Sequence, residues 1–303
     1  MTKIYKTKRN IEQEITQSVI ESLEAGCAPW RKSWSALGGL ALRENNEPYR
    51  GFNQFILSMS GRSNPFWFTF KKAQDIMQKL EGDPNKTPTN TTTGMLSGVR
   101  KGEKGTKVCY YGTGQDKETD KSFRFLKWYT VFNADQIDGL PKKFHPQKKD
   151  IPAMIRDANV EKFIQNTGAK ITHGGGRAFY SPANDTIVMP EREAFDDYIA
   201  YAGTALHELG HWTGHEKRLD RGLKSSFGTK DYAQEELTAE MSAAFMAGHL
   251  QIEIEPREDH AQYIASWIAK LKTEKNALPK ACAAAQRIVD HLYSYQQETA
   301  VAA

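Results

Sequence analysis

Cysteine is scarce in this chain: three in 303 residues, Cys27, Cys109 and Cys282, far apart and odd in number. That excludes a disulfide framework and a C-x-x-C zinc site, and it suits a reducing cytoplasm. Long apolar runs are missing as well; none approaches the roughly 20 residues that cross a bilayer. The basic opening, Met1 to Arg9, is followed by no apolar h-region, so neither a secretory signal nor a membrane partner is expected. The phosphate-binding patterns G-x-x-x-x-G-K-S/T and G-x-G-x-x-G are also absent, and Gly174-Gly175-Gly176 reads as a plain turn.

What is present is divided unevenly. Residues 1–150 hold 25 Lys/Arg against 16 Asp/Glu, a net of +9, and the remainder holds 16 against 21, a net of −5. Four of the six tryptophans, Trp30, Trp34, Trp67 and Trp128, lie in the basic half. A basic half joined to an acidic one suggests two domains, of which only the first meets a polyanion. We expect domains at 1–138 and 151–303, joined over 139–150 by a linker that is polar, basic and broken by Pro141 and Pro146.

In the first half, Ile11, Ile15, Val19 and Leu23 predict an amphipathic helix that stops at Gly26. Strands are expected over Val108–Tyr111 and Phe123–Phe132, with a hairpin loop from Gly112 to Lys121. The fold class is α+β: a small antiparallel sheet with helices, then a helix-rich α+β domain. Cations and aromatics alternate at Trp30, Arg31, Lys32 and Trp34, at Tyr49, Arg50 and Asn53, and at Trp67. A basic, glycine-punctuated turn adds Arg100, Lys101, Lys104 and Lys107. Single strands are bound by such mixtures, because cations follow phosphates while exposed rings stack on unpaired bases. These twelve residues are the candidate contacts, reading backbone rather than sequence. Phe66, Phe68, Phe123 and Phe125 are expected to be core, as strand aromatics usually are. The basic half shows no evident acidic two-metal cluster, which weakens a primase or nuclease reading.

The second half carries the more specific signal. His207-Glu208-Leu209-Gly210-His211 is an H-E-x-x-H sequence within a helical stretch. Residues four apart on a helix are about 40° apart around its axis and about 6 Å along it. Two imidazoles so placed can converge on one metal ion, and Glu208 can serve as general base. A metzincin would place a third histidine at position 217, which is Lys217, so that class fails on its own residue. The third ligand is sought instead in Glu235-Glu236-Leu237-Thr238-Ala239-Glu240, at the start of a helix. Glu236 and Glu240 share a face while Glu235 is turned about 100° away. Glu236 is preferred as ligand, over Glu240 or Glu235, with Glu240 as the outer carboxylate that steadies a ligand imidazole. Tyr232 and His215 are candidates to steady an oxyanion, and Thr186–Met189 is a candidate edge strand for a peptide. Zn²⁺ is the expected ion; another divalent ion such as Mn²⁺ is the alternative.

Together these motifs resemble the ArdC-type antirestriction proteins. The likeness spans nearly the whole chain, through Pro29-Trp30, Tyr49-Arg50-Gly51-Phe52-Asn53, Trp67-Phe68-Thr69-Phe70, the Val99–Thr106 turn and the zinc-type motifs. His260-Ala261-Gln262-Tyr263-Ile264-Ala265-Ser266-Trp267 extends it. Residues 112–121 have no counterpart that can be matched. The resemblance implies a single-stranded-DNA-binding first domain, of the kind shared with TraC-type plasmid primases, and a zincin-like metallopeptidase second domain. It also implies protection of incoming plasmid or phage DNA in a bacterial cytoplasm, with a host restriction-system protein as peptide substrate. The alternative is a protein that coats single strands and whose metal site is structural or idle. Nothing in the sequence sets the oligomeric state.

Overall fold

The computed structural model describes residues 10–31, 39–81, 98–116, 120–147, 151–223, 229–254 and 260–301. The fold is α+β, with eight α-helices and two three-stranded sheets among these residues.

Asn10 opens α1 (Ile11–Glu24) by accepting the Gln13 backbone N–H, and Val19, Ile20 and Leu23 turn its apolar face inward. Helix α2 (Gly51–Ser58) buries Phe52, Phe55, Ile56 and Leu57. Strand β1 (Trp67–Thr69) leads into α3 (Phe70–Glu81). The long pair β2 (Thr106–Gln115) and β3 (Ser122–Asn133) completes an antiparallel sheet of order β1-β3-β2. Pairing continues to Gln115 opposite Ser122, so the first four residues of the loop expected from Gly112 to Lys121 are strand.

The second half begins with α4 (Ala153–Asn166), followed by β4 (Lys170–His173), β5 (Phe179–Ser181) and β6 (Thr186–Met189). Strand β6 runs parallel to β4 and antiparallel to β5. It is therefore the central strand, with backbone groups engaged on both sides, and it cannot accept a peptide as an added strand. That corrects the expectation for Thr186–Met189; the edges of this sheet are β4 and β5. Four helices close the chain: α5 (Tyr198–Trp212), α6 (Lys230–Leu250), α7 (His260–Thr273) and α8 (Ala277–Val301).

The two halves share one apolar core. Val19, Ile20 and Leu23 of α1 and Phe52 and Phe55 of α2 belong to the same buried cluster as Trp267 of α7 and Ile288 of α8. Trp30 lies edge-on to Trp267, with ring centroids 5.5 Å apart. The Gly51 backbone N–H donates to Gln286 Oε1 at 2.9 Å, and Arg50 pairs with Asp290. The stretch expected as a linker is also partly core. Leu140 and Phe144 are buried, and Phe144 meets Phe66 and Phe68 edge-on at 5.2 and 5.0 Å. Composition alone describes the surface of that segment; two apolar side chains in twelve residues suffice to dock it.

Candidate metal centre

Helix α5 crosses α6 closely, and Gly210 is what permits it. A Cβ there would stand 2.6 Å from Ser242 Oγ and 3.2 Å from the Ala239 Cα. Opposite Gly210, α6 presents Ala239 and Ser242, so the two backbones approach and glutamates of α6 reach the histidines of α5. The start of α6 is fixed by Thr229, whose side chain accepts the Tyr232 backbone N–H.

The crossing brings three ligand-type side chains together. His207 Nε2 and His211 Nε2 face each other at 3.1 Å. Glu236 Oε2 lies 3.5 Å from His207 Nε2, and Oε1 lies 3.4 Å from His211 Nε2. Donors around a tetrahedral Zn²⁺ are about 3.3 Å apart, given nitrogen–metal distances of about 2.0–2.1 Å. The trio therefore fits a divalent ion, and among the described residues it is the one such group of three or more. His207 and Glu236 are almost fully buried. Electrostatics points the same way. Burial pushes the His211 imidazole toward neutrality, yet Glu236 and Glu235 outweigh it and raise its pKa well above the ordinary value. Burial pushes the Glu236 carboxyl up, but His211 and His207 hold it below the usual carboxylate range. Two imidazoles beside carboxylates that stay ionised form a pocket that favours a cation.

Each ligand imidazole has its own outer carboxylate. Glu240 Oε1, the carboxylate expected from sequence to steady a ligand imidazole, lies 2.9 Å from His207 Nδ1. Glu235, weighed in sequence only as an alternative ligand, lies 3.1 Å from His211 Nδ1. Arg221 grips Glu235 with Nε at 3.1 Å from Oε2 and Nη2 at 2.7 Å from Oε1. The same guanidinium donates to the Gly210 carbonyl at 2.6 Å and to Thr213 Oγ1 at 2.7 Å, capping the end of α5. One arginine thus ties both ligand helices together. With Nδ1 occupied by a carboxylate, each imidazole presents Nε2 to the ion.

Glu208 is buried on the same helix, next to His207. Burial, then Tyr263 and Glu236, raise the Tyr232 pKa, so its hydroxyl stays protonated; that oxygen is 3.3 Å from the Tyr263 hydroxyl. His215 lies past the helix end, with Nδ1 accepting the Lys217 backbone N–H at 3.2 Å, and is outside the ligand trio. Arg218 stacks on the Trp212 ring at 3.9 Å and donates to Asp185 Oδ2 at 3.0 Å, docking the loop after α5 onto the sheet.

Residues 158–285 match a family of zincin-like metallopeptidases. Residues 9–132 match the N-terminal domain of anti-restriction factor ArdC. The metal-free crystal structure of the antirestriction protein ArdC from plasmid R388 is 34% identical and superposes with a TM-score of 0.77, over 96% of this chain and 99% of that one. The chain belongs to the ArdC antirestriction family. The Mn(II)-bound structure of R388 ArdC is 35% identical, with a TM-score of 0.75 over 95% and 98% of the two chains. Among curated proteins, the uncharacterized protein y4eC of Sinorhizobium fredii is 32% identical over 96% of this chain and 94% of its own length. A DNA primase TraC of Escherichia coli is 36% identical over 96% of this chain, but the chain spans only 20% of that primase. For a second TraC the identity is 33% and the share 28%. The ArdC-type site is thus a divalent metal centre of the H-E-x-x-H plus glutamate kind.

Several residues singled out for single-strand contact in this ArdC-type chain have other work. Trp30, Tyr49 and Trp67 are 1, 3 and 2% exposed, so no ring face is open for a base, which corrects the expectation for all three. They satisfy packing first; Trp30 fills the seam between the halves. Asn53 holds the Cys109 backbone, donating to its carbonyl at 2.7 Å and accepting its N–H at 2.8 Å. Arg100 pairs with Glu103 at 2.7 Å and Asp138 at 3.1 Å. Arg50 is exposed but paired with Asp290. Lys101, Lys104 and Lys107 are exposed, Lys107 Nζ lying 2.6 Å from Thr130 Oγ1. Lys32, Trp34 and the Arg31 side chain lie outside the described residues. Tyr110, Tyr111 and Phe123, which carry no such expectation, are at least half exposed.

Proposed function

We propose that this ArdC-type protein protects incoming plasmid or phage DNA from host restriction, as a metallopeptidase delivered to single-stranded DNA by its basic half. The observation that carries the peptidase reading is the buried His207, His211 and Glu236 trio with Glu208 beside it on α5. A divalent ion on this trio, zinc by the chemistry of the donors or manganese as in the R388 relative, supplies Lewis acidity toward a water and a peptide carbonyl. Glu208 accepts the proton of the attacking water at its carboxylate and returns it to the leaving amine. The Tyr232 hydroxyl, one helical turn before Glu236, donates toward the developing oxyanion. Glu240 and, through Glu235, Arg221 keep the two imidazoles aimed. The net charge of +9 in residues 1–150 supports a sequence-nonspecific polyanion partner there. No described helix is long and apolar enough to cross a membrane, and the cytoplasm of the bacterial host is the proposed compartment. A protein of the host restriction system is the proposed peptide substrate.

The test is Glu208→Ala. The variant should keep its fold, its metal and its affinity for single strands, and lose protection in a conjugation assay. Protection equal to that of the parent would instead identify a single-strand coat whose metal site does not act on peptide.

A further inference from the structure

The hairpin of β2 and β3 breaks the rule that strand aromatics pack inward. Tyr110 and Phe123 are 57 and 50% exposed, and Phe125 lies between them. In the register of the pair, Tyr110 opposes Lys127, Gly112 opposes Phe125 and Gly114 opposes Phe123. Directly opposed residues share a sheet face, so these six form one surface. The two glycines have a specific use. A Cβ at Gly112 would stand 2.4 Å from the Phe125 ring, and one at Gly114 would stand 2.7 Å from the Phe123 ring. Each phenyl ring lies across the facing strand in the space a side chain would fill. The result is a row of rings at even spacing, 6.1 Å from Tyr110 to Phe125 and 6.2 Å from Phe125 to Phe123. Lys127 Nζ sits 4.9 Å from the Phe125 centroid, at the edge of the row.

Exposed rings on a projecting hairpin fit either apolar protein or unpaired bases, and charge decides between them. Lys127 stands on the same face as the rings, Lys107 and Arg124 on the opposite face, and the two strands hold no aspartate or glutamate. A polyanion with flat apolar faces meets both features at once. We propose that Tyr110, Phe125 and Phe123 are the stacking platform for consecutive unpaired bases of a single strand, with Lys127, on the same sheet face, taking a phosphate. This rests on the single-strand reading given above and adds where and how the strand is held.

The experiment uses the full-length chain, a fluorescent oligo(dT) and an abasic oligonucleotide of equal length. The variant combining Tyr110→Ala, Phe123→Ala and Phe125→Ala should lose about 100-fold or more in oligo(dT) affinity. Its weaker affinity for the abasic strand should stay within about threefold, because phosphate contacts are kept. Gly112→Ala keeps every ring but displaces Phe125, and should weaken oligo(dT) binding by a smaller factor. Manganese binding as in the parent reports that both variants are folded. Parental affinity for oligo(dT) in the triple variant would overturn the platform while leaving single-strand binding in place. Equal losses on both oligonucleotides would overturn stacking as its mechanism. A parent that binds neither strand would remove the single-strand reading itself and the platform with it.

Discussion

The metal centre and the β2–β3 hairpin break the same rule in opposite directions. At the crossing of α5 and α6, His207, Glu208, Glu236 and Glu240 are polar groups taken out of water. On the hairpin, Tyr110, Tyr111 and Phe123 are apolar rings left in it. Buried polar groups cost free energy unless they are partnered, and exposed apolar surface forgoes burial. The centre offsets its cost by setting imidazoles against carboxylates, with Arg221 holding one of those carboxylates; the proposed single strand would cover the rings of the hairpin. The lesson is that each half departs from apolar-in, polar-out at the place where a function is proposed for it, while the shared core between them follows the rule.

The sharpest way to break the first side of this comparison is to open the network without touching a ligand. Glu235→Gln and Glu240→Gln each keep shape but weaken the hold on one imidazole. Each should lower Mn²⁺ or Zn²⁺ affinity by about 10–100-fold, read by calorimetry. Unchanged affinity in both would mean that the imidazoles aim themselves.

A smaller effect separates a histidine whose neighbouring carboxylates outweigh burial from one whose burial outweighs its carboxylate. His249 lies on the same helix as Glu236, against the Tyr293 ring at 4.8 Å. Burial dominates there, with Asp290 opposing and Arg50 assisting, and its pKa falls to about 4. The unfolded chain takes that proton at about pH 6.5, whereas the native state refuses it until about pH 4. Its contribution to stability is thus complete above pH 6.5 and is lost progressively as pH falls toward 4. At pH 5 the loss should be about 2 kcal/mol, seen as a lower unfolding midpoint. A His249→Asn variant should show that much less acid sensitivity between pH 7 and 5; an identical slope in the two proteins would place the proton elsewhere.

The local part of this picture was legible in the residues. His207, Glu208, His211 and Glu236 follow from helical spacing, which is short-range, and Thr186–Met189 is readable as a strand from its β-branched run. What escaped was nonlocal. The role of Glu235 depends on Arg221, fourteen residues upstream in a loop, and on which imidazole nitrogen it meets. The central place of β6 depends on neighbours chosen by the fold. Trp30 was read with the cations next to it in sequence, but its contact is Trp267. Phe123 and Phe125 read as core in the sequence because strand aromatics usually are; the clue, Gly114 and Gly112 facing those two rings, is visible only once the register is known.

The central claim is that the buried trio is a working divalent-ion site, and metal titration of the parent chain beside Glu236→Gln tests it most directly. The parent should take up one Mn²⁺ or Zn²⁺ per chain and be stabilised against unfolding, while Glu236→Gln, folded but one ligand short, should lose most of that affinity. A parent that takes up no ion, or a Glu236→Gln variant that binds it as tightly as the parent, would contradict the account.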